Sequence, residues 1–226
     1  MSFSLIMGVN MKIAIDGPAG SGKSTIAKLL SRKLNFEYID TGALYRAITY
    51  IIDKENINLD DENMISNIIK SANFRFNANK LYLNDFCIED EIRKNEISQK
   101  VSAVAARPIV RTLLNNVFRK ISDTSDNIIL DGRDIGTVVL PDAELKIFLD
   151  ASPSIRAQRR YLELLAKGEI VNLEDLKKEI IKRDYLDSNR ETAPLKIADD
   201  AIVIVTDDLN IEQVVDKIYN LLNNDL

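Results

Sequence analysis

The 226-residue sequence contains no histidine. That absence excludes Ser/His and Cys/His nucleophilic machinery and any histidine metal site. Cys87 is the only cysteine, so the chain can build neither an intramolecular disulfide framework nor a thiolate metal cluster, as suits a reducing cytoplasm. Long apolar runs are also missing: none approaches the roughly 20 residues needed to span a bilayer. The opening stretch MSFSLIM lacks a basic start and a long apolar segment, so it does not read as a secretory signal. Met11 is a second candidate start, and residues 1–10 read as an N-terminal extension. Basic residues are outnumbered, 30 Lys and Arg against 35 Asp and Glu, a net charge of −5. This balance argues against a general nucleic-acid binder, because phosphate backbones demand positive surfaces.

What the sequence does have begins with GPAGSGKST at positions 17–25, between the apolar run 12–16 and a helix-like stretch from Thr25. Gly17, Gly22, Lys23 and Ser24 fit G-x-x-x-x-G-K-[ST], with glycine where backbone amides must approach phosphate oxygens. The reading is an NTP site made of Gly17, Pro18, Ala19, Gly20, Ser21, Gly22, Lys23, Ser24 and Thr25. The amides of 19–24 and the helix N-terminus cradle the β-phosphate, Lys23 bridges the β- and γ-phosphates, and the Ser24 hydroxyl completes a Mg²⁺ shell. Without histidine, the remaining chemistry is that of carboxylate, Lys and Arg with Mg²⁺.

The size and the 46% hydrophobic content suit one α/β domain, with room for a small insertion. Helical periodicity through Ile26, Leu29, Leu30 and Leu34, then a strand over 36–39 ending in Asp40-Thr41-Gly42, makes one βαβ unit. A helix over 43–54 follows, then a polar connection and another helix that Asp60 or Asp61 could cap. Phe74-Arg75-Phe76, a turn over 77–80, Leu81-Tyr82-Leu83 and a second turn before Phe86 read as a small antiparallel meander, hence an insertion. Beyond Arg107-Pro108, the apolar positions 110, 113, 114, 117 and 118 predict a core helix. The largely apolar runs 128–130, 145–149 and 201–205 read as parallel strands buried on both faces. Five strands alternating with helices specify a doubly wound sheet with ligands at its carboxyl edge.

The guanine signature N-K-x-D is not met by Asn79-Lys80-Leu81-Tyr82, which argues against a GTP switch. Arginines instead accumulate after strand ends: Arg46, Arg133, and Arg156, Arg159 and Arg160 on one helix face, with a hinge expected at Ala166-Lys167-Gly168. Such a surplus suits a protein that must hold two polyanions together under a closing lid. The competing reading of the lid face is a solvated helix salt-bridged to Glu163. Arg183, Asp187 and Arg190 share another face, on a helix that Asn172 could cap; there the competing reading is an Arg183–Asp187 surface pair. Asp131 resembles a strand-end acid that orders Mg²⁺ through water, and a purely structural role at the turn fits it equally.

IDGPAGSGKST (15–25), DTGALYRAIT (40–49), VSAVAARPIVR (101–111), DGRDIGTVVLPDAELKIFLDAS (131–152) and RDYLDSNRETAPL (183–195) together resemble the bacterial cytidylate kinases over nearly the whole chain. The loop alone marks only an NTP binder, whereas DGRDIGTVV with RDxxDSxR is specific. The resemblance implies a P-loop three-layer α/β/α fold with a five-stranded parallel sheet. It assigns residues 11–60 and 106–226 to the kinase core, about 153–172 to a lid and 61–105 to an NMP-binding insertion holding the small antiparallel sheet. It implies ATP, Mg²⁺ and CMP or dCMP as ligands, no nucleic-acid or membrane partner, and a cytoplasmic monomer. Ser102, Arg111 and Asp134 would then face cytosine, Arg183 and Asp187 the sugar, and Arg46, Arg133 and Arg190 the phosphates, with Thr41 and Tyr45 beside them. Lys23, Arg133, Arg156, Arg160 and Arg190 are the catalytic candidates, and Arg159 joins the ATP site. Two readings stand beside this one: a uridylate or adenylate kinase, and a module that senses ATP for regulation or RNA association. Ser24 and Thr41 depart from commoner members, which carry Gly and Ser at those positions.

Overall fold

The computed structural model describes residues 10–77 and 80–224. The calls on residues 1–9 and on the hairpin tip at 78–79 lie outside them.

Strand β1 (Met11–Asp16) leads through the glycine loop into helix α1 (Lys23–Leu34). This helix starts two residues before Thr25 because Gly22 takes a left-handed conformation, φ 95°, that releases the chain directly into the helix. Strand β2 (Glu37–Asp40) runs without a linker into α2 (Thr41–Lys54), since the Asp40 carboxylate accepts the Ala43 amide at 3.0 Å and caps it. The strand-ending Asp40-Thr41-Gly42 is thus a helix start, and α2 begins before residue 43. Asp61 caps α3 (Glu62–Ser71). The antiparallel sheet β3 (Phe74–Asn77), β4 (Lys80–Leu83) and β5 (Phe86–Cys87) follows, pairing in that order. Helices α4 (Glu89–Ile92), α5 (Asn95–Ala105) and α6 (Pro108–Thr124) lead to β6 (Asn127–Gly132). The chain then makes a π-helical turn, Ile135–Val139, before β7 (Leu145–Asp150), α7 (Pro153–Ala166), α8 (Leu173–Asn189), β8 (Ile202–Val205) and α9 (Ile211–Asn224).

The main sheet has the order β2-β6-β1-β7-β8, every pairing parallel. Its inner strands are largely apolar because both faces are covered, whereas the edge strand β8, expected to be buried on both faces, is exposed at Ile202, Val203 and Val205. Ile13, Ile15, Ile129, Ile147 and Leu149 pack against Ile26, Leu30 and Leu34 of α1 and Val214 and Ile218 of α9. Ala14, Ile39, Ile128 and Leu130 pack against Leu44 and Ile48 of α2 and Val110, Leu114 and Phe118 of α6. Ile65, Leu81, Ile92 and Val101 join this second core, so the antiparallel sheet and its helices are continuous with the main domain's packing. The chain reverses direction across the sheet at β1, which places a crevice beyond the carboxyl ends of β1, β6 and β7. Among the described residues, no helix is long and apolar enough to cross a membrane.

Candidate active site at the carboxyl ends of the strands

The glycine loop closes tightly over β7. A Cβ on Gly17, whose φ is 148°, would stand 2.1 Å from the Leu149 carbonyl oxygen. Gly17→Ala is therefore expected to force the loop off the sheet and cost more than about 1 kcal/mol, read by urea denaturation. Lys23 is buried, its Nζ donating to the Pro18 carbonyl at 2.7 Å and to Ser21 Oγ at 3.2 Å. Burial, and next the charge of Arg133, lower its pKa well below the ordinary lysine value. Ala19 and Gly20 are backed by Arg156, which donates to the Ala19 carbonyl at 2.8 Å. Thr25 is exposed at the start of α1.

Asp131, at the end of β6, meets this loop. Ser24 Oγ donates to its Oδ2 at 2.8 Å, Tyr38 donates to its Oδ1 at 2.9 Å, and Thr41 Oγ1 donates to its main-chain oxygen at 2.7 Å. Burial, with Asp40 adding repulsion, raises the Asp131 pKa to about 6. A hydroxyl and a carboxylate in direct contact beside a phosphate cradle are hard oxygen donors suited to Mg²⁺. Among the described residues, no group of three or more His, Cys, Asp or Glu side chains could hold a metal. A cation here would draw its other ligands from phosphate and water, as Mg²⁺ commonly does.

Across the crevice, cations from several elements face one another. Arg46 on α2 lies over Gly42; burial, and next the charge of Arg93, lower its pKa to about 10, and its Nε has no partner. Arg183 on α8 also has a partnerless Nε, and burial together with Arg133 and Arg46 lowers its pKa to about 9. Guanidinium groups crowded enough to depress one another make a site that multivalent anions relieve. Arg133 Nε donates to Asp187 Oδ2 at 2.9 Å, and Ser102 Oγ donates to Asp187 Oδ1 at 3.4 Å. Burial opposes the charge on Asp187, but Arg133, Arg183 and Arg190 hold its pKa below the ordinary value.

Asp134 sits behind this cluster, 4% exposed. The Nη2 group of Arg111 donates to its Oδ2, and Arg190 Nη2 approaches its Oδ1 at 3.5 Å. Arg111 is itself 1% exposed and lies 5.4 Å over the Tyr45 ring, whose hydroxyl has no partner. The residues expected to face base, sugar and phosphates fall into two bonded groups, Ser102–Asp187–Arg133 and Arg111–Asp134–Arg190, with Arg46 and Arg183 tied to Arg133 by charge alone.

The expected lid arginines are not brought to one point. Arg156 turns inward to Ala151, Ala19 and, at 2.6 Å, the Asp184 carboxylate of α8. Arg159 donates to Thr206 beyond β8, through its hydroxyl at 3.1 Å and its carbonyl at 2.7 Å. Arg160 pairs with Glu163 at 2.9 Å, the salt-bridged alternative read from the sequence. The expected hinge is a helix-ending turn in which Gly168, φ 80°, donates to the Leu165 carbonyl.

Three groups escaped the sequence reading. Arg93 donates to Asp40 at 2.6 Å and to Glu89 at 2.9 Å; burial opposes its charge, yet Asp40 carries its pKa above the ordinary value. Asp184 anchors Arg156 from a helix otherwise read through its neighbours. Asp16 closes β1 and accepts amides from the π-helical turn. The one available signal was Asp16's position at the carboxyl end of a buried strand.

A family model described as cytidylate kinase matches residues 13–224. A protein of Caldanaerobacter subterraneus subsp. tengcongensis named cytidylate kinase is 50% identical over 217 residues, covering 96% of each chain. One of Fusobacterium nucleatum with the same name is 51% identical over 209 residues, covering 92% of this chain and 95% of that one. Among solved structures, a gluconokinase from Sinorhizobium meliloti aligns with TM-score 0.50 at 12% identity, covering 95% of both chains, a likeness of fold alone.

Proposed function

The chain belongs to the cytidylate kinase family, and from that premise we propose that its cleft moves the γ-phosphoryl group of ATP onto CMP or dCMP, giving CDP or dCDP and ADP. The observation that carries this reading is Asp134, a buried carboxylate held by Arg111 at the back of an arginine-rich crevice opposite the glycine loop. A carboxylate there accepts from the cytosine N4 amino group, while Arg111 and Ser102 donate to the ring's acceptor edge. Uracil presents its O4 to the carboxylate and its N3–H to donors, leaving desolvated groups unpaired.

The acceptor's 5′-phosphate is already an anionic nucleophile, so the residues here need only align it and gather charge. Arg46, Arg133 and Arg190 aim the acceptor, with Arg183 and Asp187 at its sugar and Thr41 and Tyr45 beside it. Its phosphate oxygen forms the new bond to phosphorus as the β–γ bridging oxygen leaves. Lys23 takes up the charge that develops on that oxygen, Arg156 braces the loop from the Ala19 carbonyl, and Arg159 and Arg160 add their charge when the arm closes and they leave Thr206 and Glu163. Mg²⁺, when held by Ser24 and through water by Asp131, supplies further neutralisation of the phosphate charge. In this reading residues 61–105 form the acceptor-side insertion and about 153–172 the lid of a cytoplasmic monomer.

ADP release with each nucleoside monophosphate in turn tests the assignment. CMP is expected to exceed UMP by at least about a hundredfold in kcat/KM. Equal efficiencies, or preference for another acceptor, would refute it.

A further inference from the structure

We propose that Asp16 is a positioning residue for base recognition: by accepting both amides that open the π-helical turn, it releases the Asp134 carboxylate from capping, so that with Arg111 it faces the base. Asp16 Oδ1 accepts from the Ile135 N–H at 2.8 Å and Oδ2 accepts from the Gly136 N–H at 2.7 Å. A helical turn leaves its first amides without partners inside the turn, and an Asp placed just before it ordinarily caps them with its own side chain. Asp134 occupies that place and makes no such cap. Its carboxylate points instead at Arg111 and Arg190, while its carbonyl accepts the Val138 and Val139 amides within the turn. The cap comes from a residue 119 positions away.

The hydrogen bonds of Asp16 all go to this turn, and its other interaction is electrostatic, with Lys23 and Asp134. The nearby Lys23 ammonium donates to Pro18 and Ser21, and both Asp16 oxygens are committed to the turn. The turn is also tightly seated: a Cβ on Gly136 would lie 3.1 Å from Lys146 Cδ and 3.5 Å from Asp16 Oδ2. Since Asp16 immediately precedes Gly17 and Asp134 immediately precedes Ile135, one carboxylate ties the start of the nucleotide loop to the base reader.

The inference rests on the cytosine reading of Asp134 and is tested by Asp16→Asn. The carboxamide keeps the shape but offers one acceptor oxygen, and its NH₂ opposes one of the two amides. The kcat/KM ratio of CMP over UMP is expected to fall about tenfold through a higher KM for CMP, with KM for ATP changed less than about twofold. An unchanged ratio, or a defect confined to KM for ATP, overturns the proposal and makes Asp16 a support of the loop alone. If Asp16→Asn does not fold, Asp16→Ser keeps a single acceptor for the two amides, and the same ratio decides. Equal CMP and UMP efficiencies in the unsubstituted enzyme would overturn the cytosine reading itself.

Discussion

Lys23→Ala is expected to cut kcat about a thousandfold, roughly 4 kcal/mol of transition-state stabilisation, while the melting temperature of the ligand-free protein holds or rises. The two halves of this result have one cause. The ammonium is 5% exposed, held by the Pro18 carbonyl and Ser21 Oγ, with its charge opposed by burial and by Arg133. Removing it relieves that opposition in the free protein and deletes the ammonium seated within the glycine loop. A structural lysine would give the reverse pattern, a lower melting point with turnover kept. Coupled ADP-release kinetics beside a thermal melt separate the cases, and near-normal turnover would remove Lys23 from the mechanism.

The second large effect falls on Asp134. Truncation to alanine strips the buried Arg111 guanidinium of its carboxylate, and breaking a buried pair from one side costs about 3 kcal/mol or more. Arg111 would keep a bond to the Ala105 carbonyl at 3.2 Å, which does not balance its charge. Urea denaturation is expected to register the loss, and CMP efficiency to fall by at least about a hundredfold. Combining Arg111→Met with an apolar residue at 134 removes both charges together and is expected to recover much of the stability, since such replacements are often neutral. Activity toward CMP is expected to stay lost. Recovery of activity along with stability would mean that the pair serves the fold and not the base.

The inner strands were legible because burial on both faces leaves nearly unbroken apolar runs, and the small antiparallel sheet because its alternation broke that pattern. The glycine loop was legible because its spacing is itself a geometric requirement. What escaped depended on distant partners. IGTVV at 135–139 carries no local sign of a π-helical turn, since the bonds that open it come from Asp16 across the sheet. Arg93 stands in the charged stretch EDEIRKNE, where nothing local separates a half-buried cation paired with Asp40 from a solvated one. Helical spacing put Arg156, Arg159 and Arg160 on one face, but spacing cannot tell that each goes to a different partner or that Arg156 turns beneath the helix. Arg156 does so because Gly20, lacking a side chain, lets α7 approach: a Cβ there would lie 3.2 Å from Arg156 Cβ.

Arg156 also constrains the mechanics of the arm formed by α7 and α8. One guanidinium grips the end of β7, the glycine loop and Asp184 at once, so the first turns of α7 are bolted to the nucleotide cradle. Any sweep of the arm has its fulcrum beyond that bolt, and the lever that remains is the stretch bearing the outward-facing Leu162, Leu165 and Ile170.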